Sequence, residues 1–333
     1  MNIKKISLVI LLVIIVFASG IIIINAPKIN TNVTYSDKEK LNVVVTNFAS
    51  FDFVRAIAGE EVELTFLIGP GKEAHGYDLT MQDLIKIQNS DVFIYIGGEM
   101  ENWSDRVLNS VDMTKTKAFC IADYVDKQKE ETIDGAEDVH NHEHHKEDNV
   151  TSFDEHIWTS QENAIKMINA LKDLLIEEDK TKENIFNENS AKYINKIKEL
   201  QSSFNEIVDN KVRNTLVFGD KMPMQYFIEE YNLEVSAAFT GCSTETEPSV
   251  ATIAYLVKKV KEENIPVVLY IELSTGKVAN TIASEVNKTF GENKVSTMQI
   301  QTLHNVTKED FENGETYITL MERNLEVLKK ALQ

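Results

Sequence analysis

From Leu41 onward, short apolar runs alternate with stretches in which apolar positions recur every three or four residues. LNVVVTNF, VELTFLI and DVFIYIG read as strands, and the segments Phe51 to Gly59 and Met81 to Asn89 between them as amphipathic helices. Strand and helix in alternation imply a parallel sheet covered on both faces. A second set of the same kind begins at TLVFG and continues through a helix from Pro223 to Tyr231 and the strand LEVSAAF. A helix from Ser249 to Glu263, the strand PVVLYIE, a helix from Lys277 to Asn287 and an amphipathic helix from Thr316 to Leu332 complete it. The expected fold is therefore α/β: two parallel-sheet lobes, residues 41–182 and 211–333.

The two sets are separated by residues 183–210, where Phe186, Tyr193, Ile197, Leu200, Phe204 and Ile207 recur at helical spacing without Gly or Pro. Read from Asn184 to Asp209, this helix is about 39 Å long. One long, rigid helix joining two lobes acts as a strut and allows limited hinge motion.

The N-terminal 40 residues break the pattern. After MNIKK the chain runs from Ile6 to Ile24 without a charge, about 28 Å as helix and close to a bilayer core. Two basic residues ahead of it orient the remainder to the outer side of the membrane. The run has no Cys for a lipid anchor. A signal peptide cut after Ala18-Ser19-Gly20 is one reading, but Ile21 to Ile24 continue past that point and favour an uncleaved membrane anchor, followed by a polar tether.

Composition narrows the function. The chain has 333 residues, 43% hydrophobic, enough for a sizeable core, and its formal charge of -19 argues against nucleic acid and towards a cationic ligand. Cys120 and Cys242 resemble neither a zinc ribbon nor a disulfide framework and read as unpaired. Residues 126–149 form an acidic, low-complexity insert in the first lobe that holds four of the seven histidines, His140, His142, His144 and His145. Imidazoles among carboxylates make a weak, adaptable chelator, a collector or sensor for borderline metals such as zinc.

The other three histidines, His75, His156 and His304, fall in GPGKEAHGYD, FDEHIWTS and QTLHNVTKED, each at an element boundary and none on an apolar helix face. Isolated histidines are often surface or satisfied core residues. Here loops at the carboxyl ends of parallel strands converge on the crevice where α/β proteins bind ligands, and imidazole is the commonest zinc ligand, so a metal site in the interlobe cleft is expected. GPGKEA also matches the dinucleotide pattern GxGxxA, but Pro70 and Lys72 point to a turn and the next helix begins only near Thr80. No GxSxG or HExxH occurs, Glu99 and Glu101 read as surface carboxylates, and no enzyme activity is expected.

The segments VVVTNFASFDFVRAIAG, LIGPGKEAHGYDLTMQDLIKIQNSDVFIYIGGEMENW, DEHIWTSQENAIKMINAL, TETEPS and YITLMERNLEVLKKAL, in this order, resemble the zinc and manganese substrate-binding proteins of bacterial ABC transporters from Leu41 to Leu332. The resemblance implies two four-stranded lobes joined by one long helix, metal ligation by His75 and His156, and delivery of the ion to an ABC transporter membrane permease. The His-rich insert resembles the zinc branch. In the second lobe the family usually places a histidine after the first strand, where this chain reads VFGDKMPMQYF, so the lower half of the site falls to His304 first and Asp220 second. Cys242 and Glu245 are lesser candidates that would line the cleft. Three histidines and a carboxylate suit tetrahedral zinc, whereas manganese, the alternative cargo, prefers more oxygen ligands. An exported zinc hydrolase and a metal-dependent adhesin are rival readings from other classes.

Overall fold

A computed structural model describes residues 40–136, 153–241, 243, 247–291 and 294–333. The N-terminal run, the four insert histidines, Cys242 and Glu245 lie outside the described residues. Among those described, no helix is long and apolar enough to cross a membrane.

Eight strands form two four-stranded sheets, and every pairing between them is parallel. The first holds β1 (Leu41–Val45), β2 (Val62–Phe66), β3 (Val92–Tyr95) and β4 (Lys117–Cys120), in the order β2-β1-β3-β4. The second repeats that order with β5 (Thr215–Met222), β6 (Glu234–Thr240), β7 (Val267–Ile271) and β8 (Ser296–Ile300), as β6-β5-β7-β8. Val43, Val44 and Val45 are all buried, as are Val92, Phe93 and Ile94, because helices cover both faces of a parallel sheet.

Local chemistry sets the helix starts. Asn47 accepts from Ser50 N and opens the helix Phe48–Ala58; Thr80 and Asp83 form a capping box for Met81–Gln88; and Ser160 accepts from Asn163 N to open Gln161–Glu178.

The strut is a 27-residue helix, Glu183–Asp209, about 40 Å long. Its first half packs on Phe48–Ala58: Asn189 Nδ2 donates to Ile57 O (3.0 Å), Tyr193 donates to Asp52, and the rings of Phe53 and Tyr193 meet edge to face. Its second half packs on the second lobe, where the Phe204 ring lies 5.3 Å from that of Phe227 and 5.5 Å from that of Tyr231. The terminal helix Tyr317–Leu332 closes the second lobe, as the sequence predicts, and also reaches the first. Tyr317 N donates to Asp52 Oδ2 (2.7 Å) and its hydroxyl to Trp158 O (2.9 Å).

Two further expectations meet the structure here. GPGKEA is a turn that ties the lobes: Gly71 N donates to Val306 O (2.7 Å), and Asn305 Nδ2 donates to Gly69 O (3.1 Å) and Lys72 O (2.6 Å). Glu99 is exposed as read, but Glu101 is buried, a correction to its reading as a surface group. Its Oε2 accepts from Ile96 N (2.7 Å) and Gly97 N (2.9 Å), which fixes the turn after β3.

Burial pushes the Glu101 carboxyl from 4.5 up to about 7, against the opposing bonds from Thr46, Gly97 and Ile96. The folded chain thus keeps a proton that the unfolded chain releases between those values, and stability falls as pH rises from 4.5 to about 7, by on the order of 3 kcal/mol. Glu101→Gln removes that titration. Urea midpoints at pH 5 and pH 8 should show the difference between variant and parent shifting in the variant's favour at the higher pH; a pH-independent difference would refute a protonated buried Glu101.

Candidate metal centre

His75, His156 and His304 come together between the lobes, each with a ligand atom within 4.8 Å of those of the other two. His75 lies in the loop after β2, His156 just before the helix Gln161–Glu178, and His304 in the loop after β8. The rings of His75 and His304 stack at 4.9 Å, and His156 sits 5.6 and 5.3 Å from them. The three histidines singled out in the sequence are thus brought together.

A chain of contacts orders the rings. Asp154 Oδ1 lies 2.9 Å from His156 Nδ1 and also accepts from His156 N (2.7 Å). His156 Nε2 faces His304 Nδ1 at 3.1 Å, and His304 Nε2 lies 2.9 Å from Glu73 Oε1, an ion-pair distance outside hydrogen-bond alignment. Carboxylates thus flank the two outer nitrogens, while the two inner nitrogens face each other. Both rings therefore have carboxylate partners of the kind that orient metal-binding imidazoles. The buried His75 Nε2 has no hydrogen-bond partner and completes a set of three nitrogens.

The electrostatics agree. Burial, reinforced by the neighbouring imidazoles, lowers His75 from 6.5 to about 2, so its lone pair is free for a metal. Burial likewise lowers His304, although Glu73 opposes it. In His156 burial is outweighed by Asp154, and the ring is held above its ordinary range. Burial would raise the half-exposed Glu73, but His304 and Lys221 dominate and keep it ionised. Lys221 Nζ stands 3.7 Å from Glu73 Oε2. A cavity of about 20 Å³ borders Glu73, His75, Lys221 and His304, room for one water-sized species.

Asp220 does not join the histidines. It sits where the β5 to β6 register shifts, accepts from Lys221 N (2.9 Å) and bonds Ser274 and Ile271 N. Nor is there room for a side chain at the preceding position, since a Cβ on Gly219 would lie 2.4 Å from Ala279 Cα. Three groups that motif reading missed support the site. Glu73 and Asp154 each stand two residues before a histidine, a spacing that offered a local signal. Glu272 gave none: buried at the end of β7, it accepts from Thr302 N (2.8 Å), Thr302 Oγ1 (2.7 Å) and His304 N (3.1 Å), and so places the His304 loop, in which Leu303 adopts a φ of 58°.

Residues 43–331 match the family described as zinc-uptake complex component A, periplasmic (ZnuA). The chain belongs to the ZnuA family. Among curated ZnuA-family relatives it is 31% identical over 294 residues to the zinc-binding lipoprotein AdcA of Streptococcus pneumoniae, covering 87% of this chain and 56% of AdcA. The chain thus spans about half the length of these streptococcal relatives. It is 27% identical to the high-affinity zinc uptake system protein ZnuA of Bacillus subtilis, covering 89% of each. Its fold superposes on the Zn(II)-bound ZnuA-like domain of Streptococcus pneumoniae AdcA with a TM-score of 0.69 at 29% identity, covering 88% of this chain and 99% of that one. For the metal-dependent lipoprotein YcdH of Bacillus subtilis the TM-score is 0.72 at 25% identity, over 88% and 99% of the chains.

Proposed function

We propose that this chain is an extracytoplasmic receptor that captures one Zn2+ ion between its lobes through His75, His156 and His304 and delivers it to an ABC permease. The observation that carries the reading is the convergence of three imidazoles from loops of both lobes. Three nitrogens with a nearby carboxylate match zinc, and manganese would call for more oxygen. Glu73, 2.9 Å from His304 Nε2, replaces Asp220 as the carboxylate of the site, where it orients His304. Ile6 to Ile24 would serve as the membrane tether, and the insert histidines His140, His142, His144 and His145 as a weak collector feeding the cleft. ZnuA is a solute-binding receptor family, and among the described residues of the site none forms a nucleophile paired with its base.

The test is a competitive titration with zinc and manganese on the full chain with the four insert histidines changed to asparagine, so that the cleft alone reports. One zinc bound tightly, with manganese unable to displace it at equal concentration, is the expected result. Equal competition would make manganese the cargo, and no tight binding of either ion would remove the receptor reading.

A further inference from the structure

The acidic insert leaves and re-enters the first lobe through two described legs, and both are fastened to the second lobe. Gln128 O accepts from Asp154 N (2.9 Å), and Lys129 and Phe153 form an antiparallel bridge, so the legs pair with each other. Tyr226, from the second-lobe helix Gln225–Glu230, reaches both: its buried hydroxyl accepts from Gln128 N (3.0 Å) and donates to Asp154 O (2.8 Å). The outgoing leg then follows the second lobe. Gln225 accepts from Glu131 N (3.0 Å) and donates to Lys129 O (2.8 Å), Ala237 N donates to Asp134 O (3.2 Å), and Asp134 bridges Ser236 in parallel at the outer edge of β6. Gly135, at φ +86°, is pressed against Tyr255 so closely that a Cβ would lie 2.6 Å from the ring.

We infer that Tyr226 is a positioning residue for the metal site and that residues 128–136 form a clasp across the lobes, which together hold Asp154, and through it His156, in place. The inference rests on the proposed zinc site and adds a residue that touches no ligand nitrogen. Asp154 is gripped on two sides: its carbonyl by Tyr226 and its carboxylate by the backbone N–H and Nδ1 of His156. Freeing the carbonyl lets Asp154 shift, and with it the ring that Asp154 orients. A loosened clasp also lets the second lobe separate from the legs. Both effects act on a loaded site and therefore on release more than on capture.

The experiment follows the slow, one-equivalent phase of zinc release from the full chain into excess chelator, for parent, Tyr226→Phe and Gly135→Ala. Tyr226→Phe keeps the ring and its packing and loses only the hydroxyl, so the fold is retained. Release should be about 10-fold faster in Tyr226→Phe, the lower end of what outer-shell partners of metal ligands contribute. Gly135→Ala should accelerate it in the same direction. Association rates should stay within about 2-fold of parent, since most interface changes act on dissociation. The visible spectrum of bound Co2+ should keep its intensity in Tyr226→Phe, because the ligand set is unchanged, while its band positions shift with the His156 ring. An unchanged release rate in Tyr226→Phe overturns the positioning role, and acceleration in Tyr226→Phe without any in Gly135→Ala overturns the clasp. If the parent shows no slow phase, the zinc site itself fails and this inference falls with it; a slow phase identical in all three proteins defeats the inference alone.

Discussion

Replacing His156 by Ala is expected to lower zinc affinity by more than about 100-fold, beyond the 10–100-fold that outer-shell partners of metal ligands contribute. The ring is fully buried and lies between Asp154 and His304. Its loss removes one nitrogen of three and leaves the buried Asp154 carboxylate without its ring partner, held only by the backbone N–H of residue 156. Two nitrogens from His75 and His304 then face an ion that favours four ligands. Asp154→Asn should fall between parent and His156→Ala, because the amide cannot hold the imidazole as strongly as a carboxylate. Competition against a fluorescent chelator, with the insert histidines changed to asparagine, measures the series. Parent-like affinity in His156→Ala would place the ion elsewhere.

The largest effect on stability is expected at Trp158. Its side chain is fully buried, its Nε1 donates to Thr302 O across the lobes (2.9 Å), and its carbonyl accepts from the Tyr317 hydroxyl. Trp158→Ala should cost about 3–5 kcal/mol from lost transfer energy and the cavity left behind. Trp158→Phe keeps part of the packing, and the loss of the indole N–H bond itself accounts for about 1 kcal/mol. Urea unfolding of the metal-free protein resolves the two. The indole also stands edge-on to His156, with ring centres 5.4 Å apart, so Trp158→Ala should weaken zinc binding as well. A near-neutral Trp158→Ala would show that the lobes are held by the strut and the terminal helix without this contact.

Much of this architecture was legible because the core strands are continuous apolar runs and the strut has a clean helical period. The strand Lys117–Cys120 did not announce itself, since KAFC is four residues long and opens with lysine. The helix Phe48–Ala58 begins three residues before the periodicity suggested, because Asn47 caps it and Phe48 to Ser50 still look like strand. The three cleft histidines stood out by elimination from the cores. Their partners did not: Glu73 meets a histidine 231 positions away across the two lobes, and Glu272 fixes a loop 30 positions on, beyond the neighbouring strand of its own sheet. Asp220 was a reasonable guess from its place just after TLVFG, but the strand runs on to Met222 and its bulge turns Asp220 to Ser274.

The helix Glu183–Asp209 is a single rod gripped by both halves, and the helix Tyr317–Leu332 laces them a second time. A protein strung in this way resists swinging open like a jaw. In the receptor proposed above, the free energy to give up the ion would then be spent at the rim, on peeling the loops that carry His75 and His304 apart. A membrane partner that reads whether the receptor is loaded would sense the set of those loops, and unloading would amount to a local loosening in an otherwise stiff body.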